Sequence, residues 1–113
     1  MGATTFGNLT VGRYKKASDA YDSLVNEAEY ECGHDSYNGT ISTTQGFNIL
    51  SDNPRYGTKS FNNWEDKMIN TINKYDCLCV EITGSVLKRI KENNGYKGKK
   101  NVKAFYFFGW ASC

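Results

Sequence analysis

The sequence has one histidine and one proline, and no apolar run approaching the roughly 18 residues that a membrane-spanning helix requires. A single histidine rules out the paired-histidine helix of the zinc proteases. A nucleophile elbow, a phosphate-cradling glycine loop and a paired-carboxylate spacing are also missing, which removes the catalytic signatures with known mechanics. No basic-then-apolar leader precedes a small-residue cleavage site, so the expected location is the cytoplasm. Met1-Gly2 starts like a myristoylation signal, but Phe6 stands where that signal needs Ser or Thr. On the same expectation the sequons at Asn8 and Asn38 stay unmodified, and Cys32, Cys77, Cys79 and Cys113 are free thiols in a reducing compartment.

What is present fits a single domain, residues 1–113, with 39% hydrophobic and 14% aromatic residues, enough for one packed core. Residues 3–14 alternate weakly and read as a small hairpin or an irregular arm. From Ser18 the pattern turns helical, with Ala17, Ala20, Tyr21, Leu24, Ala28 and Cys32 at steps of three and four, until Gly33 ends it. Residues 40–44 are rich in β-branched side chains and read as a strand that continues, after a break at Gly46, through Phe47, Ile49 and Leu50. Phe61, Trp64, Met68 and Ile72 mark the apolar face of a second helix that starts at Ser60. Residues 76–83 form a strand, residues 85–91 a short helix with Val86, Leu87 and Ile90 inward, and residues 102–111 a strand apolar on both faces. A strand of that last kind belongs in the middle of a sheet. The expected class is α+β: two main helices packed on one side of a small antiparallel or mixed sheet of three to five strands.

The net charge of +2 conceals a partition. Residues 19–35 carry six acids and no Lys or Arg, whereas residues 88–103 carry seven Lys or Arg against Glu92 alone. Lys88, Arg89, Lys91, Lys97, Lys99 and Lys100 can neutralise phosphates or meet an acidic protein surface, including the first helix of a second copy in a homo-oligomer. The plainer role is to keep a hydrophobic edge soluble and unpaired.

Chemistry-bearing side chains concentrate just beyond the first helix. His34 and Asp35 are an acid–base candidate pair, and Tyr37, Asn38 and Thr40 supply hydrogen-bonding groups for a bound ligand. The structural alternative is that His34 caps the helix while Asp35 and Asn38 form local turns. Cys32, His34, Cys77 and Cys79 are ligand types for zinc, but Cys77 and Cys79 lie on an extended strand and not in a knuckle with two or more intervening residues. Core packing is the favoured role for those thiols. No metal or cofactor is expected, and the reading favours a binding protein over an enzyme.

The segment Glu29-Tyr30-Glu31-Cys32-Gly33-His34-Asp35-Ser36-Tyr37-Asn38-Gly39-Thr40-Ile41-Ser42-Thr43-Thr44, with the closing Phe107-Phe108-Gly109-Trp110-Ala111, resembles a family of small uncharacterised proteins encoded by phages, prophages and bacteria. The resemblance covers about a quarter of the chain. It implies a host-defence inhibitor of the anti-CRISPR type, acting in the host cytoplasm by occupying the nucleic-acid or ligand-binding surface of a host effector protein. A nucleotide-binding sponge, or a small enzyme acting on a nucleotide or phosphodiester through His34 and Asp35, is the alternative it leaves open.

Overall fold

A computed structural model describes residues 3–32, 41, 44, 46–51, 53–72 and 76–112. In chain order the elements are β1 (Ala3–Gly12), α1 (Ala17–Cys32), β2 (Asn48–Leu50), α2 (Lys59–Ile69), β3 (Cys77–Ile82), α3 (Gly84–Asn93) and β4 (Lys103–Ser112). The strands form one mixed sheet in the order β1-β4-β3-β2. β4 runs antiparallel to both its neighbours, and β2 lies parallel to β3. The α+β class is as the sequence implied, and the doubly apolar 102–111 segment takes the interior position expected of it. Among the described residues no helix is long and apolar enough to cross a membrane.

The two-residue side-chain period of a strand divides β3 and β4 between two cores. Cys77, Cys79, Phe105 and Phe107 point to one face, where Ala20, Tyr21, Leu24, Val25 and Ala28 of α1 cover them. Leu78, Val80 and Phe108 point to the other, against Phe61, Trp64 and Met68 of α2. Ile82 and Ala104 extend this second face to Val86 and Ile90 of α3. The helices therefore flank the sheet, α1 on one side and α2 with α3 on the other, and do not share one side as the sequence suggested. The cause is β4 itself: a strand apolar on both faces needs a helical layer on each.

Two other expectations change. Residues 3–12 form neither a hairpin nor an arm but one strand, paired along its length with β4 from Ala3↔Ser112 to Gly12↔Lys103. Ile41 and Thr44, expected in a strand, lie in a turn closed by the Thr44 N–H donating to Ile41 O at 3.0 Å. Thr44 Oγ1 donates to the same carbonyl at 2.6 Å and is 2.5 Å from Tyr21 Oη, which also accepts the Gly46 N–H at 3.0 Å. A hydroxyl relay to α1 thus captures this part of the β-branched run, and side-chain bonds of that kind compete with a strand ladder.

Two glycines record close approaches. A Cβ on Gly109 would lie 2.0 Å from Asp76 O, where Trp110 N–H donates to that carbonyl. A Cβ on Gly7 would lie 2.2 Å from Tyr106 Oη. That hydroxyl donates to Glu65 Oε2 at 2.6 Å, and Trp110 Nε1 donates to Ile69 O at 2.8 Å, so two side chains of β4 fasten α2 to the sheet.

Candidate functional site

α3 begins where β3 ends. Thr83, in extended conformation, is its N-cap residue and makes no side-chain capping bond. Val86 and Ile90 recur at a four-residue step and are buried, which turns Lys88 and Arg89 outward. At the far end Asn94 closes the helix twice over: its N–H donates to Ile90 O and Lys91 O, and its side-chain amide donates to Ile90 O at 2.7 Å. The chain then turns back, with Tyr96 N–H donating to Lys91 O at 2.8 Å and Lys99 N–H to Tyr96 O at 3.0 Å. The Lys91 ammonium donates to Lys99 O at 2.5 Å and holds this return against the helix.

The result is a basic surface with an apolar floor. Lys88, Lys91 and Lys97 line one depression of about 380 Å³, together with Leu87, Glu92 and the glycines at 84 and 98. Lys99 and Lys100 are exposed on the same return, while Arg89 is exposed on α3 outside the depression. Three of the six basic residues singled out in the sequence are thus neighbours in space, across nine positions of chain.

A second concavity, about 780 Å³, opens at the carboxyl ends of the parallel pair β2 and β3. Leu50, Tyr56, Ile82 and Val86 give it apolar walls, and Arg55, Glu81 and Thr83 give it polar groups. Crevices at the carboxyl ends of parallel strands are recurrent ligand positions, because the strand ends diverge into separate connections there. Gly84 lines both concavities, so the crevice and the basic depression adjoin around the start of α3. Sequence reasoning missed Arg55 and Thr83. The signal for them is the parallel pairing of β2 with β3, which a three-residue β2 does not disclose.

Burial, and next the carboxylate of Glu65, push the Tyr56 phenol upward. Burial, and next its hydrogen bond to Glu65, push Tyr106 well above the usual phenol range. Both stay protonated, so Tyr106 acts as a permanent donor to Glu65.

The other residues singled out in the sequence fare differently. His34, Asp35, Tyr37, Asn38 and Thr40 lie outside the described residues, as does the side chain of Cys32. Cys77 and Cys79 share one face of β3, as their spacing requires, but that face is the floor beneath α1, where both are free and fully buried. Burial raises both thiols, Cys79 to about 12, and the neighbouring Glu81 adds to the effect on Cys79. With no metal beside them they are neutral core side chains, and nucleophilic chemistry needs the thiolate. Among the described residues no three His, Cys, Asp or Glu side chains gather closely enough to hold a metal ion. No protein-family model matches the chain, and neither curated proteins nor solved structures show a significant match to it.

Proposed function

We propose that this protein is a stoichiometric binding module whose working surface is the basic depression on α3 and the return that follows it. Its counterpart is a polyanionic surface, either an acidic patch on a larger effector protein or the nucleic acid that such an effector holds. Occupying that surface would block the effector, which is how an inhibitor of the anti-CRISPR type would act. The observation that supports the reading most is the convergence of Lys88, Lys91 and Lys97 around Leu87, with Lys99 and Lys100 beside them. Lysine stems lining an apolar depression, with Lys88 and Lys97 themselves exposed, suit a partner that offers both phosphate or carboxylate charge and a flat apolar face.

The test uses a fluorescently labelled single-stranded oligonucleotide as the polyanion probe, followed by anisotropy. If about three phosphates are neutralised, single-strand affinity should fall about twentyfold between 50 and 200 mM salt. The triple variant K97E/K99E/K100E should lose binding altogether. Full retention of binding by that variant contradicts the reading.

A second reading rests on the crevice beside Arg55 and Tyr56, whose size suits a small ligand such as a nucleotide. In that case the protein acts as a sponge, and a mononucleotide should raise its thermal midpoint in proportion to the logarithm of ligand concentration above the Kd. An Arg55→Glu substitution should remove that rise while leaving oligonucleotide binding at the α3 surface in place.

A further inference from the structure

The two edges of the sheet are unequal. β2 has three residues and runs into a proline-containing loop, whereas β1 has ten residues, Ala-Thr-Thr-Phe-Gly-Asn-Leu-Thr-Val-Gly, without a charge or a proline. Long edge strands are normally blunted by lysine, proline, a bulge or a covering segment, because their open backbone groups template further pairing. β1 has no charge or proline, its register with β4 is continuous, without a bulge, and among the described residues no further strand pairs with it, leaving Thr5, Gly7 and Leu9 exposed.

Backbone direction along β1 follows from one hydrogen bond. Trp110 N–H donates to Asp76 O, so the even-numbered residues of β4 address β3 and the odd-numbered ones address β1. Phe107 and Gly109 pair with Asn8 and Phe6, which assigns the even-numbered residues of β1 to the β4 ladder. Thr5, Gly7, Leu9 and Val11 therefore direct their N–H and C=O groups to the open side. On the sheet face they share, Leu9 is 40% exposed, and a shallow groove of about 250 Å³ is lined by Thr5, Gly7, Glu65, Asp66 and Ile69.

We infer that β1 pairs antiparallel with the β1 of a second copy of this chain, joining two four-stranded sheets into one of eight strands. A neutral strand meets no repulsion from its own copy, and a two-fold axis perpendicular to the sheet keeps matching side chains on one face. With the axis through Gly7, Thr5 of each copy stands opposite Leu9 of the other. Each exposed Leu9 then covers the mouth of the other copy's groove, and the contact is made twice. Pairing is antiparallel, so the outward groups of Thr5, Gly7, Leu9 and Val11 find partners without disturbing the β4 ladder. The inference is independent of the α3 surface, which lies at other elements of the fold.

Sedimentation and amide hydrogen exchange test it together. The protein at micromolar concentration should sediment at twice the chain mass, with the amides of Thr5, Gly7, Leu9 and Val11 protected to a degree comparable with Phe6 and Asn8. Leu9→Glu, which would face the Glu65 and Asp66 carboxylates of the other copy's groove, should give a monomer with unchanged far-ultraviolet circular dichroism and with those four amides exchanging fast. Adding Thr5→Lys to Leu9→Glu should restore the dimer, since the two charges face each other across the axis at both ends. A monomeric protein, a Leu9→Glu variant that stays dimeric, or a double variant that stays monomeric would each overturn the proposal.

Discussion

The two helical layers of this molecule look alike in the sequence and do different work in the structure. α1 presents Asp19, Asp22 and Glu27 to solvent and seals its apolar stripe against Phe105, Phe107 and the two thiols. The opposite layer carries the tyrosine–glutamate bond, the crevice, the basic depression and its lysines. A sheet with two apolar faces requires cover on both sides but does not require equal cover. The α1 layer is one continuous helix, while the α2 and α3 layer is two shorter helices with strand ends opening between them. Concavity arises where cover is interrupted, and the interruption falls beside the lysines.

The largest effects should come from the core, where the layers are predicted to be equivalent. Phe107→Ala, beneath α1, and Phe108→Ala, beneath α2, should each cost about 3–5 kcal/mol in urea denaturation, since both rings are fully buried. Both variants should unfold in a single transition. A two-phase curve for either would mean that the layers are separate cooperative units.

Alkaline pH should load both layers next: among the described residues the buried thiols lie on the α1 side and the raised phenols of Tyr56 and Tyr106 on the other, so the thiol share is read by substitution. A thiol that titrates near 9 when unfolded and near 12 when folded favours the native state fully below pH 9 and loses that contribution as pH rises towards 12. Stability measured across that range should fall less steeply in Cys79→Ala than in the unsubstituted protein. The same slope in both would show that Cys79 is not the group responsible.

Polar ties give a smaller contrast. Tyr106→Phe leaves the Glu65 carboxylate without its donor and should cost about 1.5–3 kcal/mol, the range for a hydrogen bond to a charged group. Tyr21→Phe removes neutral bonds to Thr44 and Gly46 and should cost about 1–2 kcal/mol. The reverse order, read from denaturation midpoints, would place the more important latch on the α1 side. Smallest of all, K97E/K99E/K100E should change stability by less than about 0.5 kcal/mol, as expected of exposed side chains without buried partners.

Much of this was legible in the chain. The helical spacing of Phe61, Trp64 and Met68, the inward Val86 and Ile90, and the doubly apolar residues 102–111 each specify an element and its buried face. The distribution of helices over the sheet was not, because an amphipathic stripe shows that a helix is covered but not by which face of which strand. β1 was hidden because Gly7 and Gly12 interrupt its alternation, and Gly7 is required by a tertiary contact, the Tyr106 hydroxyl standing where a Cβ would be. The basic residues were visible as a run. Their convergence on Leu87 depends on the return at residues 94–100, which the Lys91 ammonium helps to hold. The crevice at Arg55 and Tyr56 depends on a parallel pairing between segments about thirty residues apart, which local patterning does not encode.

The most direct test of the division between layers is one oligonucleotide titration of two charge-reversed variants. K88E/K97E alters the α3 surface, and D22K/E27K alters exposed positions of α1. The first variant should lose oligonucleotide binding, and the second should bind at least as tightly as the unsubstituted protein. Binding that survives in K88E/K97E would contradict that division.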